Sequence, residues 1–593
     1  SGSSVHKGLV AMSPKNLGGA NGLAKPLDAA AIFSRARTAI AHGRHADAAV
    51  LFLALCQQSA GTQKFAALEN LRLMAEALRP SWHRFLALMQ DPHRMAMHRS
   101  AICAALDTHH PAVVVCAGPL AGPLTALVLA AEPPPTMRLF ALYDNALDLE
   151  LGREALALVG AAASKGTRGP EPVQLLSTSL QQHLLPSVEG DALVVHDPFP
   201  YAGLGAIQRA RAALCATCTG CVHVLPGRAR ISAMLVKSSS LREQVRLDSV
   251  QATQGLDVTA LNVLSPTALA IDLATHEHQQ LSEAVEVAVV DHSEANTGEA
   301  VEDHTVHFHA TASGNADGVV YWWAYDFPAA GSLSCAPSRM PAWHTWQHFC
   351  CLPDRRPVVT GDRVPIAMRR TGRGLTIPSA DSITGAGHAT MQVHQYHMHM
   401  VNDAERNAAY QAGIKQAVAE CLRRLSAERA DSKAEPSDKE EPKEEPSGAE
   451  TQEAGPEAEE EERQADAAGE GVRVMDIGAG SGLLGLMAAQ AGAHEVLLVE
   501  KEPKLAEVAL ECIGANEVQS SMMLVKAHSQ DLSAEMVGGL SDILVSEVFG
   551  DAPLSENCLA TFAHARQHLL RPGARIVPCR LRLIAALAHV EGA

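Results

Sequence analysis

The sequence predicts an α/β chain in which a parallel sheet with a nucleotide-type edge occurs twice, and three observations carry that prediction. Residues 472–557 alternate apolar strands with a glycine turn and strand-end acids. A weaker copy of the same order stands upstream, between residues 82 and 235. Between the copies, residues 231–370 are rich in the period-two alternation that antiparallel strands use.

In the downstream copy the first strand, Val472-Arg-Val-Met-Asp476, opens onto Gly478-Ala-Gly480-Ser-Gly482. A second apolar strand, Val496–Val499, ends on Glu500, and a third, Ile543–Val545, ends on Ser546-Glu547. A further carboxylate follows at Glu556. Strand, glycine turn, helix, then a strand ending in an acid is the order of a ligand site at the carboxyl edge of a parallel sheet. A dinucleotide fingerprint would need glycine where Leu483 stands, so the spacing favours S-adenosyl-L-methionine. The glycines let backbone approach the ligand's amino-acid end, and Glu500 can accept both ribose hydroxyls. The glycine loop alone would equally be a tight turn; the acids in register with it make the difference.

Two carboxylates on one loop, Glu547 and Glu556, suit a guanidinium. Arginine keeps its proton at any cellular pH, with a pKa of about 12.5–13.8. It cannot attack an electrophilic methyl until a nitrogen lone pair is localised and aimed. A carboxylate pair can grip the planar fork, draw charge to the far nitrogens and accept the released proton. The alternative for Glu556 by itself is a solvated loop charge.

The segment from Ser546-Glu547 to Glu556-Asn557 resembles the double-glutamate loop of the protein arginine N-methyltransferases. Met400-Val-Asn-Asp403-Ala-Glu-Arg406-Asn-Ala-Ala-Tyr410 is similar to the family's helix that folds over the cofactor. The resemblance implies catalytic roles for Glu547 and Glu556 and an enzyme of the methyltransferase class. It implies cofactor contacts from Asp403, Arg406, Asp476, Gly478, Gly480, Gly482 and Glu500, with Ser529 near the adenine. Substrates would be Arg-containing proteins, such as Arg/Gly-rich, histone or RNA-binding proteins, with no direct nucleic-acid contact. The aromatic pair that often precedes this helix is replaced by Met391-Gln-Val-His-Gln-Tyr396-His397, a departure that looks like the tandem-module branch, whose modules would pack as an intramolecular pseudo-dimer.

The upstream copy echoes each part. Asp91-Pro-His-Arg94 with His98 parallels the Asp403/Arg406/Tyr410 helix. Val113–Gly122 stands at the glycine loop, Phe140–Asp144 at the strand ending in Glu500, and Ala192–Asp197 at the strand ending in Glu547. His223–Arg230 parallels Ala574–Arg580. Its chemistry is eroded: Leu120 replaces the middle glycine between Pro119 and Pro123, and Ala206 stands opposite Glu556. Proline stiffens the loop and removes donors. This copy is expected to be structural.

Composition bounds the rest. A 593-residue chain with 47% apolar content can fill three or four ordinary cores. No apolar run reaches the length of about eighteen residues that spans a bilayer. There is no basic-then-apolar leader, and the chain begins at Ser1, so an upstream piece is expected to be missing. Thirteen cysteines, odd in number and scattered, suit reduced thiols and a cytoplasmic or nuclear location. Residues 426–470 hold 17 acids and 5 bases, a net −12 of the chain's −18. That Pro/Glu-rich stretch has almost no large apolar group and is expected to be disordered, an insertion between lid helix and first strand.

The expected organisation follows. Residues 1–81 are helical, with segments Ala29–Ala41 and Ala46–Ser59 resembling a tetratricopeptide pair. A degenerate Rossmann-like methyltransferase domain covers 82–235. Residues 236–375 resemble the family's β-barrel, with strands at 281–290, 305–310, 318–325 and 364–369 and a variant closing motif at His344-Thr-Trp346. Lid helices take 390–425, the acidic insertion 426–470, and a second Rossmann-like methyltransferase domain 471–593. The last has no barrel after its strand Leu581–Leu587, so it is expected to be C-terminally truncated. Cys215, Cys218, Cys221 and His223 have ligand-like spacing but lack a second pair, and His307 and His309 share a strand face. No metal is assigned to either. The expected function is S-adenosylmethionine-dependent methyl transfer to a protein arginine nitrogen. The competing expectation is a catalytically inactive methyltransferase-like scaffold that binds partners through its helical N-terminus.

Overall fold

Runs such as Val113-Val-Val-Cys-Ala117 and Arg473–Ile477 are buried at every position, and strands apolar on both faces form the middle of parallel sheets covered by helices. The computed structural model bears this out and describes residues 29–41, 44–58, 67, 70–71, 91–118, 120–143, 147–150, 152, 173–177, 189–197, 204–292, 302–337, 347–371, 374–378, 395–433, 471–516, 518, 521–549, 558–582, 584 and 586–587. The chain divides into two compact units: residues 1–239 with 267–378, and residues 240–266 with 379–593.

The first unit begins with helices α1 (Ala29–Ala41) and α2 (His45–Gln58), packed through Phe33 and Phe52 at a ring separation of 5.6 Å. Helix α3 (Pro92–His109) follows, its N-terminus capped by Asp91, which accepts from the His93 and Arg94 amides. Next come β1 (Val113–Ala117), α4 (Ala121–Ala130), β2 (Arg138–Tyr143), β3 (Gln174–Ser177), β4 (Ala192–His196), α5 (Leu204–Thr217) and β5 (Val222–Leu225). The five strands form one sheet in the order β3-β2-β1-β4-β5, every pair parallel.

The same unit carries antiparallel strands: β6 (Arg228–Lys237), β7 (Leu269–Ile271), β8 (Gln279–Gln280), β9 (Val285–Asp291), β10 (Glu302–His309), β11 (Gly314–Phe327), β12 (Gly331–Ser334), β13 (Gln347–Val358), β14 (Arg363–Thr371) and β15 (Gly374–Thr376). One sheet runs β7-β13-β11-β6-β8, with β12 on β11 and β9 on β6; another runs β10-β14-β15. Along β10, buried Val306 and Phe308 alternate with exposed His307 and His309, so these histidines lie on the solvent side. His344 and Trp346 fall outside the described residues, as does Asp144.

In the second unit, α6 (Gln395–Asn402) and α7 (Ala404–Lys433) precede β16 (Arg473–Ile477), α8 (Leu483–Gln490), β17 (Glu495–Glu500), α9 (Pro503–Ala515), β18 (Met522–Lys526), β19 (Ser541–Ser546), α10 (Cys558–His568) and β20 (Leu570–Val577). The sheet order is β18-β17-β16-β19-β20, all parallel, the same permutation as in the first unit.

Three expectations need correction. Helix α7 continues through residues 426–433, into the segment expected to be disordered. Ser-Ala-Glu-Arg-Ala-Asp-Ser-Lys is largely helix-forming and meets no proline until Pro436, so propagation costs little. Residues 240–266, assigned above to the barrel stretch, group with the second unit. Their Leu247, Leu256, Val258, Leu261 and Leu264 share one core with Met398, Val401 and Ile414 of the lid helices. The expected strand over 581–587 is not formed among the described residues, where Leu581 and Ile584 are 50% and 81% exposed. A strand needs a neighbour to take its hydrogen bonds, and alternation alone does not supply one.

Candidate active site

Those expected site residues of the second unit that the structure describes gather along one edge of its sheet, because the segments leaving the carboxyl ends of parallel strands emerge together. Residues 478–482 follow β16, Glu500 ends β17, Ser529 comes just after β18, and Glu547 follows β19.

The glycine turn is held by the neighbouring strand. The Gly478 and Ala479 amides donate to the Val499 carbonyl at 2.9 and 3.2 Å. Gly480 has φ of +57°, in the left-handed region, and its amide donates to Glu500 Oε2 at 2.9 Å. A Cβ on Gly480 would meet nothing within 4 Å, so that side of the turn is open. A Cβ on Gly478 would meet Val548 at 2.8 Å, so the glycine lets the turn lie against the loop carrying Glu547. Gly482 caps α8, whose first turn follows directly.

Two buried carboxylates support the turn. Glu500 accepts from Gly480 through Oε2 and from the Glu502 amide through Oε1 at 2.8 Å. Each oxygen keeps a second lone pair, compatible with accepting a ribose hydroxyl. Asp476 Oδ2 accepts from the Gly485 amide at 2.9 Å, whereas buried Oδ1 has no hydrogen-bond partner among the described residues. Burial pushes the Asp476 carboxyl up to about 7, and the nearby negative charge of Glu500 adds to the rise.

The lid helix brings its residues to the same edge. Asp403 Oδ1 accepts from the Arg406 amide at 2.9 Å, the geometry of a helix N-cap. Arg406 Nη2 lies 3.3 Å from Glu547 Oε2, Nη1 donates to Asn407 Oδ1 at 2.7 Å, and the guanidinium sits over the Tyr410 ring at 4.8 Å. The Tyr410 hydroxyl donates to the Ser546 carbonyl at 3.4 Å, and Ser546 Oγ donates to the Ile477 carbonyl at 2.7 Å. At the far end of β19, Arg424 of the same helix bonds Asp542 at 3.2 Å, so α7 lies across the sheet from edge to edge. Arg406 and Glu547 are thus brought together. Ser529 is buried at the start of a 3-10 turn beyond β18. Glu556 lies outside the described residues.

Asn407 and the strap 240–266 were missed in the sequence. Buried Asn407 donates to the Ala252 and Val401 carbonyls at 2.9 and 2.7 Å, and Asn402 donates to those of Glu243 and Arg246 at 2.6 and 2.9 Å. Asp257 and Asn516 bond reciprocally at 2.8 and 2.6 Å. The strap's apolar residues are the available signal, but they are too irregularly spaced to mark an element.

The corresponding edge of the first unit is built differently. Arg94 Nη1 bonds Asp197 Oδ1 and Oδ2 at 2.6 and 2.7 Å, and His98 Nε2 lies 2.9 Å from Oδ2. The Arg94 guanidinium and the His98 bond hold the buried Asp197 carboxyl well below the usual carboxylate range. Leu120, at the position of the middle glycine, is buried. Of the cysteine-rich segment, Cys215 and Cys221 are exposed free thiols, and His223 stacks on His109 at 3.7 Å and lies 3.4 Å from Asp191.

A five-stranded parallel sheet with a glycine turn after its first strand and an acid ending its second fits a Rossmann-like methyltransferase. In agreement, residues 461–574 match the family model for ribosomal protein L11 methyltransferase (PrmA). Similar curated proteins are an arginine N(omega)-methyltransferase of Streptomyces achromogenes subsp. streptozoticus, 40% identical over 114 residues (19% of this chain, 32% of that protein), and protein arginine N-methyltransferase 7 of Aedes aegypti, 35% identical over 124 residues (20% and 18%). A probable protein arginine N-methyltransferase 3 of Arabidopsis thaliana is 39% identical over 113 residues (18% and 19%). The chain therefore spans a third or less of the length of these relatives. Over this segment the chain is similar to proteins named as arginine methyltransferases.

Proposed function

We propose that the chain transfers the methyl group of S-adenosylmethionine to guanidinium nitrogens of protein arginine, with both ligands held at the sheet edge of the second unit. The observation that carries this is the meeting of Arg406 and Glu547 at 3.3 Å beside the Gly480–Glu500 turn. The similarity to named arginine methyltransferases over the same segment supports it.

Asp403, Arg406, Asp476, Gly478, Gly480, Gly482, Glu500 and Ser529 would hold the cofactor. The donor set fits: an open left-handed glycine turn, a strand-end carboxylate with acceptor capacity left, and a buried Asp476 oxygen lacking a partner among the described residues. When bound, S-adenosylmethionine supplies an electrophilic sulfonium methyl. Glu547 and Glu556 would grip the substrate guanidinium, localise the lone pair of one nitrogen and take up the proton that nitrogen loses. Arg406 neutralises part of the negative charge collected there.

The first unit would be a silent copy of the same module. Arg94 already lies against both oxygens of its strand-end acid, so the group that would hold a substrate guanidinium holds one from its own chain. Its antiparallel strands fit the barrel that accompanies a methyltransferase module, and α1–α2 fit a tetratricopeptide-like pair. Arg-containing, Arg/Gly-rich proteins would be the substrates, in the cytoplasm or nucleus.

Labelled methyl donor and an Arg/Gly-rich peptide test the function. Glu547→Gln and Glu556→Gln are each expected to lower transfer by about a hundredfold or more, the scale of losing one charge from a desolvated ion pair. Near-normal transfer by Glu556→Gln, or label moving to lysine, contradicts it.

A further inference from the structure

In both units a helix opens on an aspartate cap and presents an arginine three residues on and a ring seven residues on: Asp91, Arg94 and His98 in α3, and Asp403, Arg406 and Tyr410 at the start of α7. In both, the arginine meets the acid that follows the fourth strand of its sheet, Asp197 or Glu547. The ring at the seventh place differs, and so does the ion pair.

In the first unit the ring bonds the acid directly. Asp197 is a carboxylate and only accepts, so the His98 Nε2–H donates to it at 2.9 Å. Phe327 packs against the imidazole edge to face at 4.8 Å. With two donors converging, Arg94 and Asp197 are 3% and 0% exposed. In the second unit the ring takes the arginine instead. Tyr410 lies under the Arg406 guanidinium at 4.8 Å, and its hydroxyl proton goes to the Ser546 carbonyl. A phenol has one proton to donate, so none remains for the acid. Arg406 and Glu547 stay 3.3 Å apart and 16% and 22% exposed.

We propose that Tyr410 is a positioning residue of the arginine site: stacked on Arg406, it stops the guanidinium from closing onto Glu547 and keeps that pair within reach of substrate. This rests on the function proposed above. A second donor at this place, as with His98, turns the pair into a dry internal bridge.

The test compares the whole chain with Tyr410→Phe and Tyr410→His, measuring S-adenosylmethionine affinity by calorimetry and kcat and KM for an Arg/Gly-rich peptide. Phenylalanine keeps the stacking face and is expected to stay within about threefold of wild type in every constant. Histidine is expected to raise the peptide KM by about tenfold or more, the size of a partly desolvated cation–π contact. Should circular dichroism show that Tyr410→His does not fold, Tyr410→Leu serves in its place with the same expected rise. Equal behaviour of the phenylalanine and histidine (or leucine) variants overturns the role, as does a loss shared equally by cofactor affinity, kcat and KM, which is what a purely structural residue would give. A wild-type chain that binds the cofactor but transfers nothing to arginine overturns the function and this role with it. An active wild type with the wrong variant pattern overturns the role alone.

Discussion

At the scale of single residues, Asp476 shows how one buried carboxyl ties chemistry to stability. It is 1% exposed, takes one backbone hydrogen bond through Oδ2, and is pushed up to about 7 by burial. In the unfolded chain an aspartate titrates near about 3.9. Between those values the folded protein holds a proton that the unfolded chain has released, so stability falls as pH rises from about 4 to about 7 and then levels off. Asp476→Asn keeps an acceptor for the Gly485 amide and removes the titration. Denaturant unfolding at pH 5.5 and pH 8 is expected to show a smaller pH difference in the variant than in wild type; an identical difference in both contradicts the raised carboxyl. Asp476 was legible as a strand-end acid. Its perturbation was not, since it depends on what covers the strand.

At the scale of elements, α7 does most to assemble the edge. Its cap and first two turns carry Asp403, Arg406, Asn407 and Tyr410, and a later turn anchors on Asp542 through Arg424. The sequence marked this helix by its motif, and both its length and its support came out differently. The length extended because the residues beyond 425 are helix formers, whatever their charge. The support came from 240–266, about 150 residues away in sequence, and no local pattern encodes a partner at that distance. Asn407→Ala is expected to lower the stability of the second unit by about 1–3 kcal/mol, because the Ala252 and Val401 carbonyls lose their buried donor. Unfolding midpoints of the two proteins check this; no shift would mean that the strap is held by its apolar contacts alone.

At the scale of the whole molecule, two sheets with the strand order 3-2-1-4-5 come from sequences that share little beyond spacing. That the module occurs twice was readable because apolar strands, turn glycines and strand-end acids recur in the same order in both; the strand order itself came from the structure. The difference between the units was readable only in part. Leu120 in place of glycine signalled loss, but the Arg94–Asp197 pair, one nitrogen against both carboxylate oxygens, with His98 beside it, emerged only once the helix and strand ends were set side by side. The Glu500 carboxylate, in contrast, was expected at its strand end and is found there, bonded to the glycine turn. The sheet edge of the second unit alone is expected to bind the methyl donor. Calorimetric titration of the whole chain with S-adenosylmethionine measures this. One site per chain is expected, lost in Gly480→Pro, whose ring cannot adopt the left-handed φ of +57°. Two sites, or one that survives Gly480→Pro, would contradict it.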